Sequence, residues 1–138
     1  MTNVSHTPLK NNTQNKIQSQ FADFLGSLSS PQAAKFFASF LTESEQIMFT
    51  KRLAIIMMLE EQVPYSHIAK VLNVSPATVD RLDKKRQNGE FDDFSNLFQT
   101  KKRRHKFWEN IRILIDENVH HYGASGWRWL DRIHDLEE

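Results

Sequence analysis

The stretch from Tyr65 to Lys84, which reads YSHIAKVLNVSPATVDRLDK, constrains the fold of this chain more than any other. Apolar residues recur at helical spacing on both sides of a short break: Ile68, Ala69 and Leu72 before it, Val79 and Leu82 after it. The break holds Asn73, and asparagine is one of the few non-glycine residues that tolerate a left-handed backbone. The pattern predicts two short helices joined by a tight turn.

The start of the second helix carries signals of its own. Ser75 is a favoured N-cap residue, and Pro76 stands at the first helical position, where its missing N–H has no intrahelical partner. Val74 would close the turn, and the small Ala69 allows the two helices to approach closely. These features predict a helix-turn-helix whose second helix, over residues 76–87, enters the major groove of DNA. The alternative is a helical corner in an all-α core that contacts no DNA.

The outward side of the second helix has the chemistry of a DNA-reading surface. It combines a small residue, a hydroxyl, a carboxylate and three cations: Ala77, Thr78, Asp80, Arg81, Lys84 and Lys85. Such side chains suit base edges and phosphates. We expect four of them to face bases, namely Ala77, Asp80, Arg81 and Lys84. Arg81 is the best candidate for a guanine contact, because its fork matches O6 and N7.

Phosphate contacts are expected around this reading surface. Four residues would mainly hold phosphates: Ser66, Lys70, Lys85 and Arg86. Ser75 and Thr78, at the start of the second helix, complete the predicted DNA-binding set. Residues 65–89 hold five Lys or Arg side chains against two Asp, in a chain whose net charge is +1. Positive charge is therefore concentrated at the predicted site, as phosphate binding requires.

Composition limits the class of protein. With 138 residues, 39% of them apolar, the chain is long enough for one domain with a core. It has no cysteine, which excludes disulfides, thiolate metal sites and cysteine nucleophiles. It has no long apolar run and no signal peptide, so we expect a cytoplasmic protein without membrane contact. Few glycines and prolines, together with a 3.6-residue periodicity, favour an all-α fold.

The sequence divides into three predicted segments. Residues 1–14 are polar and aperiodic, and they are predicted to be a disordered tail. Residues 15–94 form the helical domain that holds the helix-turn-helix. Residues 95–138 form a basic and aromatic helical extension.

A long helix predicted over residues 43–62 has an unusual distribution of apolar residues. Thr42 and Glu45 predict a capping box at the start of this helix. Ser30-Pro31 predicts the start of the preceding helix. The run from Leu53 to Leu59 is apolar nearly all round. A surface helix would show one apolar stripe, so this helix must be covered on several sides. We expect a second subunit to supply the cover; a central helix wrapped by its own neighbours is the alternative.

The extension begins with a cluster of cations followed by an apolar-periodic stretch. Lys101, Lys102, Arg103 and Arg104 lie together in the run KKRRHK. The positive end of the helix dipole disfavours adjacent cations at a helix N-terminus, and contact with DNA phosphates would compensate for this repulsion. A solvated helix start is the alternative. Three aromatic residues, Trp108, Trp127 and Trp129, are predicted to lie in the core or an interface rather than to stack on bases.

The segment from about Phe40 to Phe94 resembles the Trp repressor family. The points of likeness are LTESE before the long helix, Arg52 within FTKRLAI, and SPATVDR at the start of the second helix of the motif. The resemblance implies an all-helical fold that is intertwined as a homodimer and binds DNA through its helix-turn-helix.

The resemblance extends in part to the tryptophan pocket of that family. Arg52 and Arg81 fall where two arginines flank the indole, and Thr78 matches a position that lines the site. However, Leu82 stands where the family has glycine, and Lys85 where it has a ligand-contacting serine. The Leu82 side chain would fill the space that glycine leaves. We therefore interpret Arg52, Thr78, Arg81 and Leu82 as a vestigial pocket, and we expect neither a tryptophan corepressor nor another small-molecule effector.

Other chemistry has little support in the sequence. No glycine-rich phosphate loop, zinc-protease motif or nucleophile elbow is present, so we expect neither an enzyme nor a bound cofactor. His120, His121 and His134 lack the spacing of a metal-ligand set. We interpret the chain as a homodimeric transcriptional regulator that binds double-stranded DNA sequence-specifically. The alternatives are a DNA-binding accessory of a mobile element or replication machinery, and a protein-interaction module that has lost DNA contact.

Overall fold

The chain folds into helices only, within the residues that the structure describes. The computed structural model describes residue 7, residues 10–98 and residues 100–118. The helices found there are α1 (Asn11–Ser27), α2 (Ser30–Phe40), α3 (Glu43–Glu60), α4 (Tyr65–Leu72), α5 (Pro76–Gln87), α6 (Asp92–Phe98) and α7 (Lys101–Asn118). The predicted all-α class is confirmed. None of these helices is long and apolar enough to cross a membrane.

Two compact units make up the chain, residues 1–46 and residues 47–138. In the first unit, α2 begins with a capping box. The Ser29 hydroxyl accepts a hydrogen bond from the Gln32 N–H at 3.4 Å, and the Gln32 side chain accepts one from the Ser29 N–H at 2.9 Å. The N-cap is thus Ser29, one residue before the predicted start at Ser30-Pro31, because this register lets Gln32 complete the box.

Helix α1 begins earlier than the sequence pattern predicts. Its first residue is Asn11, so residues 11–14 of the predicted disordered tail belong to the helix, and the Gln14 N–H donates to the Lys10 carbonyl at 3.0 Å. The remaining tail residues, apart from residues 7 and 10, lie outside the described residues. The apolar repeat starts only at Ile17, but extending an existing helix costs little for each added residue. The apolar periodicity therefore predicts a helix start several residues after the actual one.

The predicted capping box at the start of α3 is confirmed. The Thr42 N–H donates to Glu45 Oε2 at 2.8 Å, and the Glu45 N–H donates to Thr42 Oγ1 at 3.3 Å. Each residue therefore satisfies one backbone donor that the first turn of a helix would otherwise leave without a partner.

The second unit is built around one apolar core that α3, α4, α5 and α7 share. Its most completely buried side chains are Trp108, Ile55, Met58, Ile68 and Val79. Most of the all-round apolar stretch of α3 is buried in this core, whereas Leu53 keeps 40% of its surface exposed. Neighbouring helices of the same chain thus supply much of the cover that this stretch requires.

Helix α7 runs antiparallel to α3 and closes this core. Near its start Arg104 pairs with Glu61, just beyond the end of α3, whereas Leu114 lines a cavity with Thr50 from the first half of α3. Trp108, between these points, is only 2% exposed, which confirms its predicted burial. The extension that the sequence pattern separates from the domain therefore shares a core with the helix-turn-helix.

Replacing Trp108 by alanine should test the role of α7 in the core. We expect Trp108→Ala to lower the free energy of unfolding by about 3–5 kcal/mol, because a large buried side chain leaves a cavity. Urea denaturation followed by circular dichroism would measure this. Ile113→Ala is the matched control, since Ile113 lies in the same helix with 53% of its surface exposed. Equal effects of the two substitutions would contradict the packing of α7.

Candidate nucleic-acid interface

The turn between α4 and α5 has the left-handed geometry expected of Asn73. Its φ is 52° and its ψ is 57°. The Val74 N–H donates to the Ala69 carbonyl at 3.0 Å, and the Lys51 ammonium donates to the Asn73 carbonyl at 3.3 Å. Hydrogen bonds thus satisfy backbone groups at the end of α4 and set the direction in which the chain leaves it.

Helix α5 begins and ends as predicted. The Ser75 hydroxyl accepts a hydrogen bond from the Thr78 N–H at 3.2 Å, and Pro76 is the first helical residue. The Ser75 and Thr78 hydroxyls lie 2.9 Å apart. Both were predicted to bind DNA, and each oxygen retains acceptor capacity beyond these bonds.

The inner side of the motif is apolar. Ile68 and Val79 are completely buried, and Leu82 is half-buried and packs against the core, as the apolar spacing predicts. Val71 is also buried, which the spacing did not predict. The reason is that α4 packs against α7 as well as α5, so two of its sides are covered.

Exposed cations mark the outer side of α5. Ala77, Arg81, Lys84 and Lys85 are exposed, and Thr78 and Asp80 are half-buried. The Asp80 carboxylate pairs with Lys84 across one helical turn at 2.9 Å. This pair is exposed, so its net contribution to stability is small and Lys84 can exchange it for another anion. Arg81 makes no ion pair within the described residues, so its guanidinium can meet an outside ligand.

The side chains predicted to hold phosphates differ in whether they already form ion pairs within the protein. Ser66 and Lys70 of α4 are exposed. Lys85 lies 4.0 Å from Glu90 in a loose, exposed pair. Arg86 instead binds the Asp83 carboxylate through its Nε and Nη2 groups, at 2.8 Å each. Phosphate contact by Arg86 would therefore use its remaining N–H groups.

Asp83 is a buried charged residue, and the sequence analysis did not single it out. Its carboxylate accepts hydrogen bonds from the Tyr65 hydroxyl, Arg86 and Gln87. Tyr65 begins α4, whereas Asp83 lies in α5, so this bond ties the two helices of the motif together. The sequence spacing could have indicated this burial, because Asp83 follows the buried Val79 by four residues and therefore lies on the same side of the helix.

These hydrogen bonds set the protonation states of the pair. Burial alone would raise the pKa of Asp83. Hydrogen bonds from Tyr65 and Arg86, the Arg86 charge and the bond from Gln87 outweigh burial and hold that pKa below its ordinary value. The bond to Asp83, together with burial and the nearby carboxylates, raises the pKa of Tyr65 to about 12. At neutral pH, Asp83 is therefore a charged acceptor and Tyr65 a neutral donor.

Comparison with known proteins identifies the family of the chain. The profile of the family described as Trp repressor protein matches residues 16–102, which is more than half of the chain. The chain belongs to the Trp repressor family. No curated protein and no solved structure matches it. The Trp repressor family comprises helix-turn-helix DNA-binding regulators rather than enzymes, and the resemblance inferred from the sequence is confirmed.

The match to the Trp repressor family ends at the second residue of α7. The match therefore does not include Trp108 and Ile111, which are both 2% exposed in the core. Most of α7, which packs directly on α4, therefore lies beyond the matched region.

The residues that resemble the tryptophan pocket of the Trp repressor family lie on α3 and α5. Arg52 is exposed, and its guanidinium carbon lies 5.9 Å from the centre of the Phe49 ring. Arg81 is exposed and Thr78 is half-buried. Leu82, which the resemblance aligns with a glycine of the family, packs against the apolar core.

The cations at the start of α7 are not equivalent. Arg104 is half-buried and pairs with Glu61, and Arg103 donates to a backbone carbonyl of α6 at 2.9 Å. Lys102 is exposed and makes no ion pair within the described residues, while the side chain of Lys101 lies outside them. Because Glu61 begins the connection from α3 to α4, Arg104 lies beside the approach to the helix-turn-helix.

Several predicted features lie outside the described residues: His120, His121, His134, Trp127 and Trp129. Among the residues that the structure does describe, no group of three or more His, Cys, Asp or Glu side chains could hold a metal ion.

Asp83→Asn should reveal the contribution of the buried carboxylate through its pH dependence. We expect a loss of about 1.5–3 kcal/mol in the free energy of unfolding at neutral pH, the usual range for hydrogen bonds to a charged group. Because the folded-state pKa of Asp83 is lowered, the wild-type advantage is complete above the ordinary Asp pKa. It disappears as the pH falls through the lowered value.

Urea unfolding of both proteins between pH 2 and 7 would measure this difference, a range chosen to span the ordinary Asp pKa of about 3.9. Asp80→Asn is the control, because the Asp80 pair with Lys84 is exposed and should contribute little. A wild-type advantage that stays constant across this range would show that the charge of Asp83 does not stabilise the motif.

Proposed function

We propose that the protein is a homodimeric, cytoplasmic transcriptional regulator that binds double-stranded DNA sequence-specifically, without tryptophan as corepressor. The observation that carries the proposal is the exposed outer side of α5, opposite an inner side that is buried in the core. Bases would face Ala77, Asp80, Arg81 and Lys84. Phosphates would be held mainly by Ser66, Lys70, Lys85 and Arg86.

Arg81 is central to this proposal. Its side chain is exposed and has no ion pair within the described residues, so binding DNA would not require it to leave a carboxylate. The helix that carries it is held by the burial of Val79 and by the bond between Asp83 and Tyr65. A guanidinium on a rigid helix can make the bidentate contact with guanine that discriminates among base pairs.

The cations of α7 would extend the phosphate-binding surface. Lys101 and Lys102 are proposed as additional phosphate contacts beside the approach to α4. Arg103 and Arg104 are proposed as weaker contributors, because hydrogen bonds within the protein already use part of each guanidinium.

Binding without tryptophan is proposed from the position of Leu82. In the helix-turn-helix, Leu82 is half-buried and packs against the core, where the family's glycine leaves room for the ligand. A motif whose inner side is already packed needs no ligand to hold the reading helix in place. The two arginines of the resemblance, Arg52 and Arg81, would then be free for other contacts.

Arg81→Ala combined with Lys84→Ala should remove specific DNA binding. Sequences selected from random DNA by the wild-type protein would be used in gel-shift titrations at several salt concentrations. We expect the single Arg81→Ala change to cost about 1–3 kcal/mol and to relax the preference at one base pair. Loss of Lys84 should likewise relax the preference at the base pair that it faces, and removal of its charge should reduce the dependence on salt.

Lys35→Ala is the matched control for the DNA experiment, because Lys35 is an exposed cation of α2, away in sequence from the cations of α5 and α7. Equal binding by the wild type and the double variant would contradict the reading surface. A wild-type protein that shows no salt-sensitive retention on DNA at low salt would instead favour a protein-interaction module.

The homodimer is proposed because each unit leaves large apolar side chains exposed. In the first unit neither α1 nor α2 contains a buried residue, although the Phe36 and Phe40 rings stack at 4.6 Å. In the second unit, Ile47, Met48 and Phe49 of α3 are 43–50% exposed. Two helices without a buried residue are not expected to be stable alone, and exposed apolar surfaces of this kind mark interfaces.

Sedimentation equilibrium at micromolar concentration should give twice the chain mass of 16.2 kDa. We expect Phe40→Asp to shift the protein toward monomer. The Phe40 ring is 63% exposed, and an aspartate in its place would put a charge into the proposed interface. Ser39→Asp, at the neighbouring exposed position of α2, should leave the dimer unchanged. A wild-type protein that sediments only as monomer would refute the proposal.

A further inference from the structure

A cavity of about 580 Å³ lies between α3, α4 and α7. Its floor is apolar and is formed by Ala54, Val71, Leu72, Phe107 and Ile111. Its volume falls within the range of sites that enclose small organic molecules. None of Arg52, Thr78, Arg81 and Leu82 lines it, so this cavity is separate from the residues that resemble the tryptophan pocket.

Two cations line the cavity without an acidic partner. Lys51 and Lys70 are among its lining residues, and none of the lining residues that the structure describes is Asp or Glu. Neither ammonium makes an ion pair within the described residues. Lys51 uses one N–H for the Asn73 carbonyl at 3.3 Å, which leaves two further donors. The side chain of Asn110 adds a polar group that can bind an oxygen atom.

An apolar floor beneath two uncompensated ammonium groups is complementary to one class of ligand. We propose that the cavity binds a small amphipathic carboxylate, with its tail on the apolar floor and its head group held by Lys51 and Lys70. The two ammonium groups, with no carboxylate among the described lining residues, favour an anion. The apolar floor favours an anion with an apolar tail over a fully polar one such as phosphate. This proposal goes beyond DNA binding, can be tested without DNA, and departs from the sequence-based expectation that no small-molecule effector binds. Because the proposed function assigns Lys70 to a DNA phosphate, the carboxylate and DNA would compete for that ammonium group.

Calorimetric titration of the full-length protein with sodium octanoate tests the proposal. Octanoate should bind once per chain, and hexanoate should bind about tenfold more weakly because two fewer methylene groups are buried. 1-Octanol has the same chain length without the charge, so it should bind far more weakly than octanoate. The combined change Lys51→Gln and Lys70→Gln should weaken octanoate binding about tenfold or more, because charge-assisted hydrogen bonds are lost.

Two control variants make the result specific. Lys51→Arg with Lys70→Arg keeps both charges and should retain binding. Lys35→Gln with Lys106→Gln removes two exposed lysines that do not line the cavity, so it should leave the affinity unchanged. Thermal unfolding would show whether each variant folds, and the comparison of octanoate, hexanoate and 1-octanol needs only the wild-type protein.

Three results would overturn the proposal. Equal affinity for 1-octanol and octanoate would mean that the lysines do not recognise the head group. Unchanged affinity in the double glutamine variant would locate binding elsewhere. If octanoate fails to bind and the glutamine changes shift the monomer–dimer equilibrium, a second copy of the chain occupies the cavity instead.

Discussion

The helix-turn-helix depends on the burial of Ile68 and Val79 in a core that includes Met58 of α3 and Trp108 of α7. Helix α4 has only eight residues, too few for a stable isolated helix in water. Its stability must therefore come from packing of its apolar side chains rather than from helix propensity. Because α5 is held through the same core, the direction in which its outer face points is a consequence of this packing. Local hydrogen bonds at Asn73 and Ser75 then set the turn between the two helices.

Burial also sorts the charged residues of α5 into two groups. Asp83 is buried and draws Arg86 toward the protein, while its bond to the Tyr65 hydroxyl joins the two helices. A buried carboxylate without such partners would be costly, so these hydrogen bonds compensate for its removal from water. Arg81 and Lys84 lie on the opposite side in contact with solvent, where an ion pair contributes little and can be exchanged. One helix thus carries cations that stabilise the fold and cations that can serve a ligand.

The Trp repressor family match ends where α7 begins, yet α7 completes the core around α4. Trp108 and Ile111 cover a side of α4, and Leu82 packs against the core from α5. Both features bear on the same question, namely what holds the reading helix. Under the proposed function, the packing of Leu82 and of α7 would hold the reading helix, so that no bound ligand is needed. The cavity beside α7 shows that this helix also creates concave surface.

Local chemistry allowed the sequence by itself to determine the all-α class, the limits of α5, the left-handed turn at Asn73 and the Thr42 capping box. Each of these follows from residues within a few positions of one another, because helix periodicity and capping act over one or two turns. Only the tertiary structure decided that Asp83 is buried, that Arg104 pairs with Glu61 and that α7 packs against α4. These contacts join residues 18 or more positions apart, as in the bond between Tyr65 and Asp83, and no short-range pattern encodes them. The same limit explains why sequence spacing grouped Arg86 with Arg81: both are cations on one helix, and only the position of Asp83 relative to the core separates their roles.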